Sequence, residues 1–495
     1  MSKKKDKNNQ VKLSFISNNT VSVTGSSMQL EFFDRDLNRN INILLELGMS
    51  QEGSKLDSYL TNSKLLEKID TKSIDFVIIP HIHNDHSSLL PYVVSKYDFN
   101  GKVITTKENK AMLPIMLADS AWIIENDIDW LKKNKKTKNR TYTPFYKMQD
   151  VENLKDYMID IPENEIINLT NNIQIKFLPN MHCYGSVSVE LFFKDSASRV
   201  HKLFYSSDIG NIQNEYFINK KQQPAKNSNV SIYESTYGER IKDMNYKKLR
   251  KEELELLEKT IKTTILNGGD VLIPCFAFQR TPTVAMYVKK IIEKNSCLSG
   301  TKIIIDGKLS NDLLDVFEKI CEGDDKNNIE ELLNWDNLTR IRSFKETAKL
   351  IDDKSTTKII ISSSGMMEAG HVKEWAKNIL PNKRNSIIFI GYSVEGSLAT
   401  KIKQHEETHQ KTVKIDKNII LMNCKIVTLN SFSSHASRRD LINYIMQTNT
   451  SNHICLVHGS TDAKLELAED VCKRLEDECL STKVIIPKKN QVIYF

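Results

Sequence analysis

The sequence predicts an α/β protein whose strand-rich opening third gives way to a long region of alternating helices and strands. Three observations predict it. The chain has 495 residues, and a single core rarely grows past about 250, so it divides into two or three domains. The opening third alternates short strand patterns with turns, whereas from about Arg240 helix and strand follow one another in the manner of a parallel sheet with helices on its faces. Histidine-rich polar clusters fall directly after predicted strands, where open α/β sheets assemble their sites.

Taken in order, strands are expected at Val11 to Ile16, Met28 to Phe33, Ile41 to Gly48 and Asp75 to Ile79, the last (DFVII) buried because its apolar run is unbroken. A helix-rich span from Lys107 to about Lys135 follows, then strands at Ile173 to Leu178, Ser186 to Phe193 and Leu203 to Ser206. Beyond Arg240 come helix Tyr246 to Leu266, strand Val271 to Pro274, helix Pro282 to Glu293, strand Lys302 to Ile305 and helix Asn311 to Cys321. The polar segment Cys321 to Asn334 reads as a surface insertion, after which strand Lys358 to Ile361, helix His371 to Leu380 and strand Ser386 to Gly391 continue the alternation. The tail adds strand Ile426 to Leu429, helix Arg438 to Gln447, strand Ile454 to Val457, helix Ala463 to Cys479 and strand Lys483 to Ile486.

Composition excludes several classes. With 40% hydrophobic and 27% charged residues the chain is ordinary globular material. Met1 to Gln10 (MSKKKDKNNQ) lacks apolar spacing and reads as a disordered arm. No stretch approaches the ~20 apolar residues of a membrane helix and no signal peptide pattern follows the first lysines, so a cytoplasmic protein without a membrane partner is expected. The 8 cysteines, from Cys183 to Cys479, form no CxxC pair and read as buried reduced thiols. Lysine plus arginine exceed aspartate plus glutamate by 70 to 63, a difference that a Lys-rich codon bias explains as well as a polyanion partner does.

The sharpest chemical signal is His81-Ile-His83-Asn-Asp85-His86, in the loop after DFVII. Imidazoles and a carboxylate this close can converge on a small volume, and zinc takes such nitrogen and oxygen donors at about 2.0–2.2 Å. Further donors are expected at later strand ends: His182 after Ile173 to Leu178, Asp208 after Leu203 to Ser206, and His458 after Ile454 to Val457. Each alone is weak; their common position at carboxyl ends of strands is what selects them.

These residues resemble the metallo-β-lactamase superfamily, whose HxHxDH signature His81, His83, Asp85 and His86 match in full. Ile232-Tyr-Glu234-Ser-Thr-Tyr-Gly238, Ser431-Phe-Ser-Ser-His435 and Leu456-Val-His458-Gly459 look like the three motifs of its β-CASP branch. Between them, Ile273-Pro-Cys-Phe-Ala277 with Arg280, Ser364-Gly-Met-Met367 and the string Gly391 to Gly396 match β-CASP inserts. The resemblance implies an αββα metallo-β-lactamase sandwich in two parts, residues 11–237 and 424–495, with an inserted β-CASP α/β domain at 238–423.

It also implies roles. His81, His83 and His182 would hold one zinc, Asp85, His86 and His458 a second, and Asp208 would bridge them; seven nitrogen and oxygen ligands suit two ions on chemical grounds too. A metal-lowered water would be the nucleophile. His435 is the candidate general acid that protonates the leaving alkoxide, Glu234 its hydrogen-bonded partner, and Asp85 counts as catalytic as well as ligand. Because the third motif is histidine in branches acting on RNA, His458 points to hydrolysis of single-stranded RNA, internal or from the 5′ end. Single-stranded DNA, or RNA binding by a catalytically weak scaffold, is the alternative. Lysine-rich runs at Lys132 to Arg140 and Lys289 to Lys294 are candidate lining for a nucleic-acid groove, although such runs are more often a solvated face. The chain departs from the family pattern at Ser88, Ser207, Gln279, Pro282, Thr283 and Ser437. None is an expected ligand, so the departures bear on substrate positioning and rate.

Overall fold

In the segment Met28–Asp34 (MQLEFFD) every second side chain is buried, the period that one half-covered sheet face imposes. It pairs antiparallel with Arg39–Leu45, and from there the sheet continues in parallel register through Phe76–Ile78, Lys102–Thr105 and Met158–Asp160. Lys12–Ser14 and Val492–Tyr494 complete seven strands on the other side. A second seven-stranded sheet runs Lys483–Ile485, His453–Val457, Val230–Glu234, Val200–Tyr205, Val187–Lys194, Ile173–Pro179 and Ile166–Asn168. The computed structural model describes residues 10–495 except 21, 97, 134–141, 219, 240–245, 392, 394, 395, 409 and 449. The expected arm at 1–10 thus lies outside the described residues but for Gln10.

The inner faces of these sheets share one core, in which Leu30, Phe32, Ile43 and Ile78 meet Phe177, Val189, Leu191 and Ile232. Helices Arg438–Gln447 and Thr461–Asp477 bury Leu441, Ile445, Leu467 and Val471 against the outer face of the second sheet. Helix Lys107–Lys133 buries Met112, Leu113, Met116 and Leu117. This is the αββα sandwich, and it forms a compact unit of residues 1–212, 220–243 and 434–495.

Residues 213–219 and 244–433 form the other unit. Its main sheet has six strands, all parallel, in the order Leu338–Ile341, Lys302–Asp306, Lys358–Ser362, Val271–Pro274, Ser386–Ile390 and Lys425–Leu429, beside a separate antiparallel pair, Thr412–Ile415 with Asn418–Leu421. Unbroken burial of KIIIS and SIIFI explains why these read as apolar runs rather than alternations. Trp375 is fully buried among Leu272, Ile360 and Ile387 in this core.

Four expectations need correction. Cys321 to Asn334 contains a helix, Gly323–Leu333, not a surface insertion; Ile329 and Leu332 are buried, and two apolar anchors leave the rest of its turns polar. The strand Lys425–Leu429 pairs with Ser386–Ile390 in the second unit, so the compact boundary falls between Ser433 and Ser434 rather than after Asn423. Cys297, Cys472 and Cys479 are exposed, whereas the other cysteines are buried. Lys289 is also buried, paired with Glu293 and Glu331 at 2.5 Å each, so it does not line a groove; most of Lys132 to Arg140 lies outside the described residues. Among the described residues no helix is long and apolar enough to cross a membrane.

Candidate metal centre

Each chemical loop begins where a buried strand runs out. After Phe76–Ile78 the chain turns through His81 and His83, and His83 precedes the short helix Asn84–Ser87 that carries Asp85 and His86. Close packing requires glycine here: a Cβ at Gly48 would lie 1.7 Å from the Asp85 carbonyl oxygen. His182 follows Ile173–Pro179 and Asp208 follows Val200–Tyr205. A Cβ at Gly210 would sit 2.0 Å from the Met181 carbonyl, so glycine lets the Asp208 loop lie against the His182 loop. His458 ends His453–Val457 with a positive φ of 53°. All of these belong to the first unit.

The structure brings all seven expected ligands together. One donor atom each from His81, His83, His182 and Asp208 lies within 4.8 Å of the others, and so does one each from Asp85, His86 and His458. Asp208 joins the groups: its Oδ2 is 3.5 Å from His182 Nε2 and 3.3 Å from His86 Nε2, and its Oδ1 is 3.3 Å from His458 Nδ1. His86 Nε2 faces His458 Nε2 at 3.0 Å, and His83 Nδ1 faces His182 Nε2 at 3.1 Å. His81 Nε2 and Asp208 Oδ1 are buried without a hydrogen bond. Imidazole nitrogens turned toward one another around a buried carboxylate, with donor atoms left unbonded, form an arrangement that a cation satisfies, and the nitrogen and oxygen set fits zinc.

Electrostatics agree with this geometry. Burial, then the neighbouring His81, pushes the His83 pKa down to about 3, and burial takes His182 well below the ordinary range, leaving both neutral as ligands must be. At Asp208 burial opposes ionisation, but His458, His86 and His435 outweigh it and hold the carboxyl well below its usual value. At His86 burial is outweighed by Asp208, Glu46 and Asp85, which raise its pKa well above normal; the cluster therefore attracts positive charge.

His435 lies beside the donors, its Nε2 4.0 Å from Asp208 Oδ2, while its Nδ1 donates to Glu234 Oε1 at 3.2 Å. Glu234 ends the fully buried strand Val230–Glu234 and also accepts the backbone N–H groups of Ile209 (2.9 Å) and Thr236 (3.0 Å). These bonds fix the carboxylate before it meets the imidazole. Burial works against charge on His435, but Glu234 and Asp208 raise its pKa above the ordinary histidine value.

Sequence reasoning missed Glu46, which is wholly buried. Its Oε2 accepts from His86 Nδ1 at 2.7 Å and from the Tyr205 hydroxyl at 2.6 Å. A single acid interrupting the apolar run ILLEL at a strand end was the available signal. Thr236 was missed too; its hydroxyl lies 3.1 Å from His458 Nδ1. Several departures from the family pattern have local structural uses. Ser437 caps helix Arg438–Gln447 by accepting from Asp440 N, and Gln279, at a positive φ of 60°, donates to the carbonyls of Tyr216 and Phe217. Ser88 donates to the Asn84 carbonyl, and Thr283 to that of Gln279.

Comparison with known proteins places these features. Residues 281–402 match the Beta-Casp domain, and residues 419–486 match the Zn-dependent metallo-hydrolase RNA specificity domain. The chain is 28% identical over 444 residues to an RNase J-like protein of Methanocaldococcus jannaschii, covering 88% of this chain and 90% of the relative. It is 23% identical over 444 residues to Ribonuclease TTHA0252 of Thermus thermophilus, covering 89% and 92%. With Transcription termination factor FttA of Pyrococcus abyssi identity is 25% over 415 residues, 81% of this chain and 60% of the relative, so the chain spans only about three fifths of that protein. Along with the αββα sandwich, the HxHxDH loop and the histidines and aspartate that converge on it, the chain thus carries a match to the Beta-Casp domain followed by a match to the Zn-dependent metallo-hydrolase RNA specificity domain, and it is similar over most of its length to these proteins.

Proposed function

We propose that this protein is a two-zinc ribonuclease that hydrolyses phosphodiester bonds of single-stranded RNA. The observation that carries the proposal is the convergence of His81, His83, His182 and Asp208 with Asp85, His86 and His458, next to a histidine held by its own carboxylate. When bound, the ion pair supplies Lewis-acid activation of water and neutralises charge on the phosphate. The protein's own residues provide the rest. Asp85 and Asp208 place anionic oxygens that fix where the cations sit. Because Glu234 engages His435 Nδ1, the opposite nitrogen, Nε2, faces the donors and can hand its proton to the departing alkoxide. Glu234, the first of the charges that raise the His435 pKa, helps to hold that proton on the ring.

RNA is favoured over DNA by the histidine at position 458, by the match of residues 419–486 to an RNA specificity domain, and by the relatives named ribonucleases. The test is incubation of purified protein with end-labelled single-stranded RNA and matched DNA, with and without chelator, beside an Asp85→Ala, His86→Ala variant. RNA cleavage that chelator and the double substitution abolish is expected, and mapped products give internal or 5′-directed cutting. Preferential DNA cleavage would reassign the substrate. RNA binding without metal or cleavage would leave a scaffold.

A further inference from the structure

We infer that Ser207 is a positioning residue for one metal group only, a hydroxyl relay that ties His81 to Glu46; the inference rests on the zinc reading above. Ser207, one of the departures from the family pattern, is fully buried and held at a positive φ of 50°. A side chain in that backbone region costs energy that glycine avoids, so the hydroxyl's contacts are the feature to explain. Ser207 Oγ lies 3.0 Å from His81 Nδ1 and donates to Glu46 Oε1 at 2.9 Å. With its hydrogen committed to Glu46, the oxygen accepts from His81 Nδ1–H. That fixes the His81 tautomer and turns its Nε2 lone pair toward Asp208, 3.6 Å away.

The two metal groups are therefore supported unequally by one carboxylate. His86, of the Asp85–His86–His458 group, reaches Glu46 directly at 2.7 Å. His81, of the other group, reaches it through Ser207: the direct separation of His81 Nδ1 from Glu46 Oε1 is 3.9 Å, too long for a hydrogen bond. Removing the hydroxyl leaves His81 Nδ1 without its acceptor while the bond from His86 to Glu46 survives. Glycine at position 207 accepts the same backbone freely, so the loss is confined to the relay.

The experiment is competitive zinc titration of the metal-stripped full chain against a chelator, comparing wild type, Ser207→Gly, Ser207→Ala and Glu46→Gln, each also in a His182→Ala or a His458→Ala background that cripples one group. Ser207→Gly is expected to weaken one of two zinc ions by about 10–100-fold, the usual effect of losing a partner that orients a ligand. That loss should persist in the His458→Ala background and vanish in the His182→Ala background. Glu46→Gln should weaken both ions. Ser207→Ala should repeat the glycine result, showing that the hydroxyl and not the backbone is responsible, and melting of the stripped proteins checks that each variant folds. Two ions bound by Ser207→Gly as tightly as by wild type, or both weakened alike, would overturn the relay and leave the zinc reading intact. A wild-type chain that takes up no zinc would overturn both.

Discussion

His435 and Glu234 stand 201 positions apart in sequence, yet His435 Nδ1 donates to Glu234 Oε1 at 3.2 Å. The bond orients the ring so that its other nitrogen faces Asp208, and Glu234 is the first of the charges that raise the imidazole pKa against the opposing pull of burial. One carboxylate thus sets both the direction and the protonation of the candidate acid.

Glu234→Gln should separate those effects, since the amide oxygen can still accept from Nδ1 but carries no charge. A general acid works while protonated, so the rate falls as pH rises through the His435 pKa, and a lower pKa moves that alkaline limb to lower pH. The expected outcome is a kcat/KM profile whose alkaline limb shifts acidward with zinc content unchanged, whereas His435→Ala should abolish that limb and lower the rate by about 10²–10⁴-fold. An unmoved limb would exclude His435 as the titrating acid.

Gly48→Ala tests how closely the metal loop is packed. The added methyl would fall 1.7 Å from the Asp85 carbonyl and 2.5 Å from the His86 backbone nitrogen. Neither atom belongs to a flexible side chain, so the loop must move, and it carries two ligands of the same group. A drop in melting temperature matching about 1–3 kcal/mol is expected, together with weaker zinc binding measured by chelator competition. Wild-type values for both would show that the loop yields without cost.

Much of this was legible in the sequence because the determinants are local. Helices Tyr246–Leu266 and Arg438–Gln447 and strand Val271–Pro274 lie where periodicity puts them, and the HIHNDH loop follows its apolar strand. What was not legible depended on partners distant in the chain. Glu46 is one acid in an apolar run until Tyr205, Ser207 and His86 fold around it. Gly323–Leu333 hides as a polar stretch because only the folded second unit supplies a cover for Ile329 and Leu332. The strand Lys425–Leu429 reads the same whichever sheet it joins; its register with Ser386–Ile390 is a long-range fact.

Asp306→Ala should be among the most damaging changes away from the metal centre. The carboxylate is wholly buried at a strand end in the second unit. It accepts from Trp375 Nε1 at 2.5 Å and Thr347 Oγ1 at 2.9 Å, and contacts His371 Nδ1 at 2.6 Å. Its loss strands the buried Trp375 indole N–H and takes away the carboxylate beside His371, while the Thr347 hydroxyl keeps the Ser343 carbonyl at 3.2 Å; a buried donor left unsatisfied costs about 1–3 kcal/mol. Chemical denaturation should show a loss of about 3 kcal/mol or more in the second unit, while a loss within 0.5 kcal/mol would mean that the donors find other partners.

Asp325 predicts a stability that declines as pH rises. Burial, only partly offset by the Phe217 N–H that it accepts at 2.7 Å, pushes its pKa from the ordinary 3.8 up to about 6, and neighbouring Asp324 adds to the rise. Between those two values the unfolded chain has released a proton that the folded chain still holds. The folded state therefore binds more protons, and this group's contribution falls with rising pH across that window, is level below it where both states are protonated, and is level again above it where both are ionised. Asp325→Asn keeps an oxygen for the Phe217 N–H and cannot ionise. At about pH 7.5 the variant should be more stable than wild type by roughly 1 kcal/mol, discounted for the group's partial exposure, and at about pH 4 the difference should close. Melting curves at the two pH values decide it: an advantage that is absent at the higher pH, or unchanged at the lower, would mean that the carboxyl ionises in the folded chain as it does in the unfolded one.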